Sequence, residues 1–303
     1  MPSRPLRVLL QTTIPPVADD WHIGRFRLLC DYLAGLTNTE GRPLCEVVAR
    51  DRATPPGDDD PVLAGIDRSD VDQLWLFAVD TGDGLTRAEC RAIDAFRRRG
   101  GGLMVTRDHM DLGMSVATLA EIGAAHYFHS RNADPDPDRC CIDDPFTKQI
   151  LWPNYHSGAN GDYQRIERVD PTHPLLRSES APGGIIRYFP AHPHEGGIGV
   201  PAGASDARVV AMGRSKVTGR SFNLVVAFDP RSAAAGSRPG RAVAQSTFHH
   251  FCDYNWDIGA GCPSFVDEPP GDGMRREPAA RRDIERYVRN LVLWLAREDA
   301  AVA

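Results

Sequence analysis

Lysine is almost missing from this chain: Lys148 and Lys216 are the only two among 35 basic residues, the rest being arginine. That bias is one of coding composition and decides nothing by itself, but the lack of any long basic run does exclude something. Nucleic-acid surfaces neutralise phosphates with clustered Lys and Arg, and a formal charge of −6 without such a cluster argues against DNA or RNA as a partner. Long apolar runs are missing too. The opening MPSRPLRVLLQTTIPP holds an apolar stretch too short and too polar for a signal or membrane helix, so no membrane partner and a cytoplasmic location are expected. The seven cysteines show no C-x-x-C spacing, and only Cys140 and Cys141 are adjacent. An odd number without framework spacing reads as scattered reduced thiols, not as disulfides or a zinc framework.

What is there is a globular pattern. At 303 residues the chain is long enough for one large or two small domains, and we expect a single α/β domain spanning 1–303. Leu6–Thr12 (LRVLLQT) is a continuous apolar run of the kind a doubly covered parallel strand shows, and FRLLCDYLAGL follows with helical spacing. CEVVARD, from Cys45 to Asp51, and VDQLWLFAV, from Val71 to Val79, predict two more strands around the loop ATPPGDDDP. TRAECRAIDAFRRRGGG predicts a helix with Thr86 as N-cap, Glu89 three residues on and glycines closing it. Leu103–Thr106 is the next strand and LGMSVATLAEIG the next helical segment. Ala207 to Met212 and Phe222 to Asp229 flank the turn SKVTGRS as a β-hairpin. RDIERYVRNLVLWLAR carries an apolar stripe of Ile284, Tyr287, Val288, Leu291, Val292 and Leu295. Alternating strands and helices with short connections predict a mostly parallel sheet with helices on both faces, extended by the antiparallel hairpin.

Chemistry-bearing residues gather where strands should end. GRAVAQSTFHHFCDYNWD, from Gly240 to Asp257, stops an apolar run in His249, His250, Asp253, Asn255 and Trp256, and open α/β sheets bind ligands at the carboxyl ends of their strands. The alternative is that the aromatics are core and the histidines satisfied at a polar edge. Trp21 and His22 follow the first strand and either line the same rim or cap a helix. Arg107, Asp108 and His109 follow the fourth strand, with Arg107 and Asp108 open to a plain ion pair as well. His192 and His194 flank Pro193, which biases His192 towards extended geometry, so both imidazoles project to one side and could chelate one ion with Glu195 or His249 as a third group. Equally, the pair could bond loop carbonyls.

Taken in order, the helix, GGGLMV, the polar turn, LAEIGAAHYFH, DPTHPLL, GRAVAQSTFHH and the final YVRNLVLWLAR resemble ThuA-like proteins, from about Leu6 to Arg297. These belong to the class I glutamine amidotransferase-like superfamily. The resemblance implies a flavodoxin-like sheet and a strand-end pocket that in some relatives holds a metal ion and sugar-like ligands. His249 falls where the family's late strand ends in a histidine. Arg107 falls where the family's turn carries a histidine and where true amidotransferases place their nucleophilic cysteine, so glutamine hydrolysis is not expected.

The stretch 130–165 departs from the family as a Pro-, Asp- and Asn-rich insertion holding Trp152, Tyr155, His156, Asn160 and Tyr163. It reads as a lid or subunit contact, suited either to sugar stacking or to a packed Ω-loop. The expectation is an enzyme, an isomerase or hydrolase, acting on a small polar, carbohydrate-like substrate. Asp108, His109, Glu195 and His249 are assigned to catalysis, Trp21, His22, Arg107, His250, Asp253 and Asn255 to substrate, and His192, His194 and His249 to a divalent metal (Zn, Mn or Fe). No nucleotide cofactor is expected, and a homo-oligomer is left open. The alternative is a non-catalytic module that binds a sugar or metabolite.

Overall fold

In the computed structural model, which describes residues 4–144, 147, 149–230 and 238–296, the expected strands form one sheet. Its members are β1 (Leu6–Thr12), β2 (Cys45–Arg50), β3 (Gln73–Phe77), β4 (Gly102–Thr106), β5 (Glu167–Arg168), β6 (Ala207–Arg214), β7 (Ser221–Phe228) and β8 (Ala242–Gln245). The order is β2-β1-β3-β4-β8-β7-β6-β5. The first five are parallel to one another, the arrangement of a flavodoxin-like sheet. The hairpin β6–β7 extends that sheet antiparallel, pairing to β8 on one side and to the short β5 on the other.

Both faces are covered because successive strand residues point to opposite sides. Val8, Leu10, Trp75, Phe77, Met104 and Val243 join a core completed by the helices α1 (Arg27–Ala34) and α4 (Pro278–Leu295). Leu9, Leu74, Leu76, Leu103, Val105 and Ala244 join the opposite core with Ile93 and Phe96 of α2 (Arg87–Arg98). Every residue of the expected stripe from Ile284 to Leu295 is buried. Thr86 and Glu89 form the expected capping box at the start of α2. A short helix, α3 (Asp253–Trp256), follows β8.

The segment from Leu112 to Gly123, expected to be helical, is not an α-helix. It holds two 3-10 turns, Met114–Thr118 and Gly123–Ala125. Gly113 enters the first at φ +85°, and the Asp80 carboxylate takes the Ser115 N–H and hydroxyl.

Two buried histidines outside the expected site residues tie stability to pH. His173 is buried and accepts the Leu175 N–H at 3.2 Å through Nδ1; burial pushes it down to about 4, and burial pushes His126 down to about 3. Both are lowered from an ordinary 6.5, so the unfolded chain binds more protons between those limits. Their contribution is fully present above pH 6.5 and is lost as pH falls towards 4. Each group should add a slope of about 1.4 kcal/mol per pH unit across that window. Urea denaturation at pH 7, 5.5 and 4.5 checks this: His173→Asn, which keeps an acceptor at the turn, should flatten the dependence, and an unchanged slope would disprove it.

Candidate functional site

The strand-end clusters come together at the carboxyl ends of β4 and β8. Asp108 lies just beyond β4, with its carboxylate buried. Its Oδ1 accepts the Thr247 hydroxyl from beyond β8, and its Oδ2 accepts His109 Nδ1–H at 2.8 Å. Burial alone would raise this carboxyl, but His192 and His109 beside it hold it well below the usual carboxylate range. His192 and His249 stack ring on ring at 3.6 Å between centroids and 11° between planes. His192 Nε2 stands 3.5 Å from Asp108 Oδ1 without completing a hydrogen bond. Asp108, His192 and His249 each offer a ligand atom within 4.8 Å of the others, all three buried.

The tautomers follow from one backbone carbonyl. Asn255 Nδ2 donates to Ala191 O at 2.8 Å, so that atom is nitrogen and its partner Oδ1 can only accept; His249 Nδ1, 2.8 Å from it, therefore carries a hydrogen. Asn255 Nδ2 also donates to Asn160 Oδ1, which leaves His192 Nδ1 as donor to that same oxygen at 2.9 Å. Both imidazoles are thus oriented through Nδ1–H, and both turn an Nε2 lone pair to the Asp108 side. Burial pushes His192 down to about 4 and His249 down as well, so both are neutral at pH 7. Two lone pairs facing a carboxylate suit a cation, and outer donors of this kind are how proteins orient metal-binding histidines.

His194 belongs to the site in another role. Its Nδ1 faces Asn154 Oδ1 at 3.0 Å, and Asn154 Nδ2 in turn donates to Ile150 O. Its Nε2 faces Glu268 Oε1 at 2.6 Å. Both ring nitrogens are engaged with neighbouring side-chain oxygens, so neither is turned to the Asp108 cluster. The His194 contact is the main cause that lowers the Glu268 carboxyl to about 2. His194 was expected as a ligand; the cluster whose ligand atoms lie close together is Asp108, His192 and His249 instead. The His194 ring lies 5.5 Å from His109 and 5.7 Å from His192.

Several other expected roles change. Glu195 is sealed in the interior, its Oε1 taking Ser157 and Gln164 and its Oε2 the Ser246 hydroxyl at 2.7 Å, so its carboxylate is engaged by these donors. His250 lies 3.3 Å from that same carboxylate and packs on Phe189. Asp253 caps α1, accepting the N–H groups of Arg27 and Leu28. Asn255 is bonded to His249 and to the Ala191 carbonyl. His22 caps a 3-10 turn through Gly24 N–H. Arg107 is fully buried, donates to the Met110 carbonyl at 2.6 Å and lies over the Phe128 ring at 4.2 Å. The expected helix N-terminus behind it is a 3-10 turn, so it does not present a fork at the rim. Trp21, by contrast, lines the site, edge-on to His249 at 4.6 Å.

The insertion proves to be part of the site. Asn154, Ser157 and Asn160 are buried beneath the histidines, and Tyr155 stacks on Phe222 at 4.8 Å. Residues 145, 146 and 148 within it, like Arg297, lie outside the described residues. Glu268, in the loop after α3, carried no signal beyond being an acid in an irregular stretch.

No family model and no curated protein matches this chain. Solved structures do match along its length. A cytoplasmic protein of Salmonella typhimurium LT2 is similar at 9% identity and a TM-score of 0.49, covering 96% of this chain and 100% of its own. A putative ThuA-like protein of Bacteroides uniformis is similar at 11% and 0.44, covering 97% and 92%. The glutaminase domain of Trypanosoma brucei CTPS, with bound acivicin, is similar at 12% and 0.45, covering 94% of each. Likeness this faint carries no argument about activity. The flavodoxin-like assignment rests on the strand order itself. No described helix is long and apolar enough to cross a membrane.

Asn255→Ala tests the orienting role. It removes the acceptor for His249 and the donor to Asn160, and loss of such an outer partner typically costs 10- to 100-fold in metal affinity. A zinc competition titration reads this; affinity within about twofold of wild type would show that the amide only fills space.

Proposed function

We propose that this chain is an enzyme that uses a divalent metal held by Asp108, His192 and His249 together with histidine acid–base groups, acting on a small, hydroxyl-rich substrate. The observation that carries the reading is the fixed orientation of the two Nε2 lone pairs beside the Asp108 carboxylate. Two imidazoles and one carboxylate suit zinc, manganese or iron, and three protein ligands leave positions for substrate. When bound, the metal would polarise a substrate oxygen.

The chain's own groups divide the remaining work. His109, partly exposed, is bonded through Nδ1 to Asp108 Oδ2, which leaves its Nε2 as the group to take or return a substrate proton. His194, bonded to the Glu268 carboxylate, stands on the same wall. Trp21 offers an apolar edge of the kind that packs on sugar C–H groups. Isomerisation or hydrolysis of a carbohydrate-like substrate fits this division best.

Metal analysis of protein purified without an affinity tag tests the reading. Near-equimolar zinc, manganese or iron that disappears in His192→Ala and His249→Ala, but persists in His194→Gln, is the expected result. Metal-free protein whose thermal stability ignores added metal, or metal lost only in His194→Gln, would overturn it.

A further inference from the structure

A second cleft, of ≈ 700 Å³, lies beside the strand Tyr163–Arg165, which pairs with Tyr188–Pro190 in a small separate sheet. Alternation sends Gln164 inward to Glu195, and Tyr163 and Arg165 to the other side. Tyr163, Arg165, Glu167, Arg214, Lys216 and Arg276 line the cleft. Charge there runs against the chain as a whole, whose formal net charge is −6.

Pairing within the cleft sorts these cations. Glu167 is taken by Arg214 at 2.7 Å, and Arg276 by Asp272 at 2.8 Å. Asp162, also on the lining, accepts the Gly273 N–H at 3.0 Å. Arg165 and Lys216 are left with no carboxylate partner among the described residues. Lys216 is moreover held in place. Its N–H donates to His156 O at 2.8 Å, and its ammonium lies so close over Gly158 that a Cβ there would come within 2.7 Å of Nζ. Gly158 has φ +147°, a conformation glycine adopts without strain.

Two unpaired cations of different shape, a planar fork and a point charge, converge on one recess with a tyrosine ring beside them. Guanidinium and ammonium groups are the usual binders of phosphate, and local positive potential concentrates anions. The volume exceeds what an inorganic ion fills and falls in the range of metabolite sites. We propose that this cleft binds a small phosphorylated metabolite, with its phosphate on Arg165 and Lys216 and its hydroxylated body towards Tyr163. The cleft is separate from the histidine cluster but backs onto it: Ser157, on its lining, accepts the His192 N–H through Oγ at 2.9 Å and donates to Glu195.

The test is calorimetric titration at constant ionic strength with three probes: glucose 6-phosphate, glucose and inorganic phosphate. Glucose 6-phosphate should bind, glucose should not, and the double variant Arg165→Glu/Lys216→Glu should weaken the sugar phosphate at least tenfold with its circular dichroism and metal content unchanged. Inorganic phosphate binding as tightly as the sugar phosphate, and equally sensitive to the double variant, would support the phosphate contact while overturning the metabolite. Binding of neither phosphate probe, or binding that the double variant leaves intact, overturns the site itself. Because the histidine cluster is untouched by these substitutions, its failure or success as a metal centre is read separately.

Discussion

Asp108→Asn should leave a folded protein that no longer holds a divalent ion. The other two donors, His192 and His249, are neutral imidazoles, and Asp108 supplies the only anionic oxygen of the cluster. A buried dication without a formal counter-charge meets the full cost of leaving water. The amide also reverses one hydrogen bond, because its NH₂ cannot accept from both Thr247 and His109 as the carboxylate does. Metal content after dialysis against zinc should fall below about a tenth of wild type, and turnover on any identified substrate by about a thousandfold, the rate equivalent of several kcal/mol of lost Lewis-acid stabilisation. Equimolar zinc retained by Asp108→Asn would remove Asp108 from the ligand set. A thermal melt in the same experiment separates lost metal from lost fold.

The second large effect lies away from the site. Arg52 and Glu89 are both fully buried and form two N–H···O contacts of 3.0 Å. Glu89 also accepts the Thr86 N–H at 2.9 Å and the Asp60 N–H, so one side chain closes the capping box of α2 and pins the loop that follows β2. Glu89→Ala would leave the guanidinium buried and uncompensated. Breaking a buried pair from one side typically costs about 3–5 kcal/mol, a fall in melting temperature on the order of 10 °C for a domain this size. The double variant Arg52→Met/Glu89→Leu should recover most of that loss, since it removes both charges together. A single variant losing under about 1 kcal/mol, or a double variant no better than the single, would show that solvent reaches the pair.

Much of the fold was legible for a simple reason. Leu6–Thr12, Gln73–Phe77 and Gly102–Thr106 are buried on both faces, which demands unbroken apolar runs, and Thr86 with Glu89 is a signal confined to four residues. The segment from Leu112 to Gly123 misled because its helical spacing was real but its hydrogen-bond partner, Asp80, lies 35 residues from Ser115. Local pattern could not register that competitor. The clusters holding Asp108 and His249 could be placed at one rim because the parallel strands before them share a direction, whereas His192 reaches that rim from a strand of a separate antiparallel sheet. Roles within the rim could not be read, since Asp253 becomes a helix cap only because α1 arrives from 225 residues away.

What the sequence determined by itself, then, was periodicity and its consequences: an α/β sheet, its helices, its antiparallel extension, and a strand-end rim rich in histidine. These depend on contacts a few residues apart or on the simple requirement that apolar runs be buried. Tertiary structure alone decided which nitrogen of each histidine faces inward. Asn255 and Asn160, anchored to the Ala191 carbonyl, turn His249 and His192 towards Asp108, while Asn154 and Glu268 occupy both nitrogens of His194. Hydrogen-bond direction is set by the partner's chemistry and place, and those partners come from loops whose sequences carry no period to announce where they will pack.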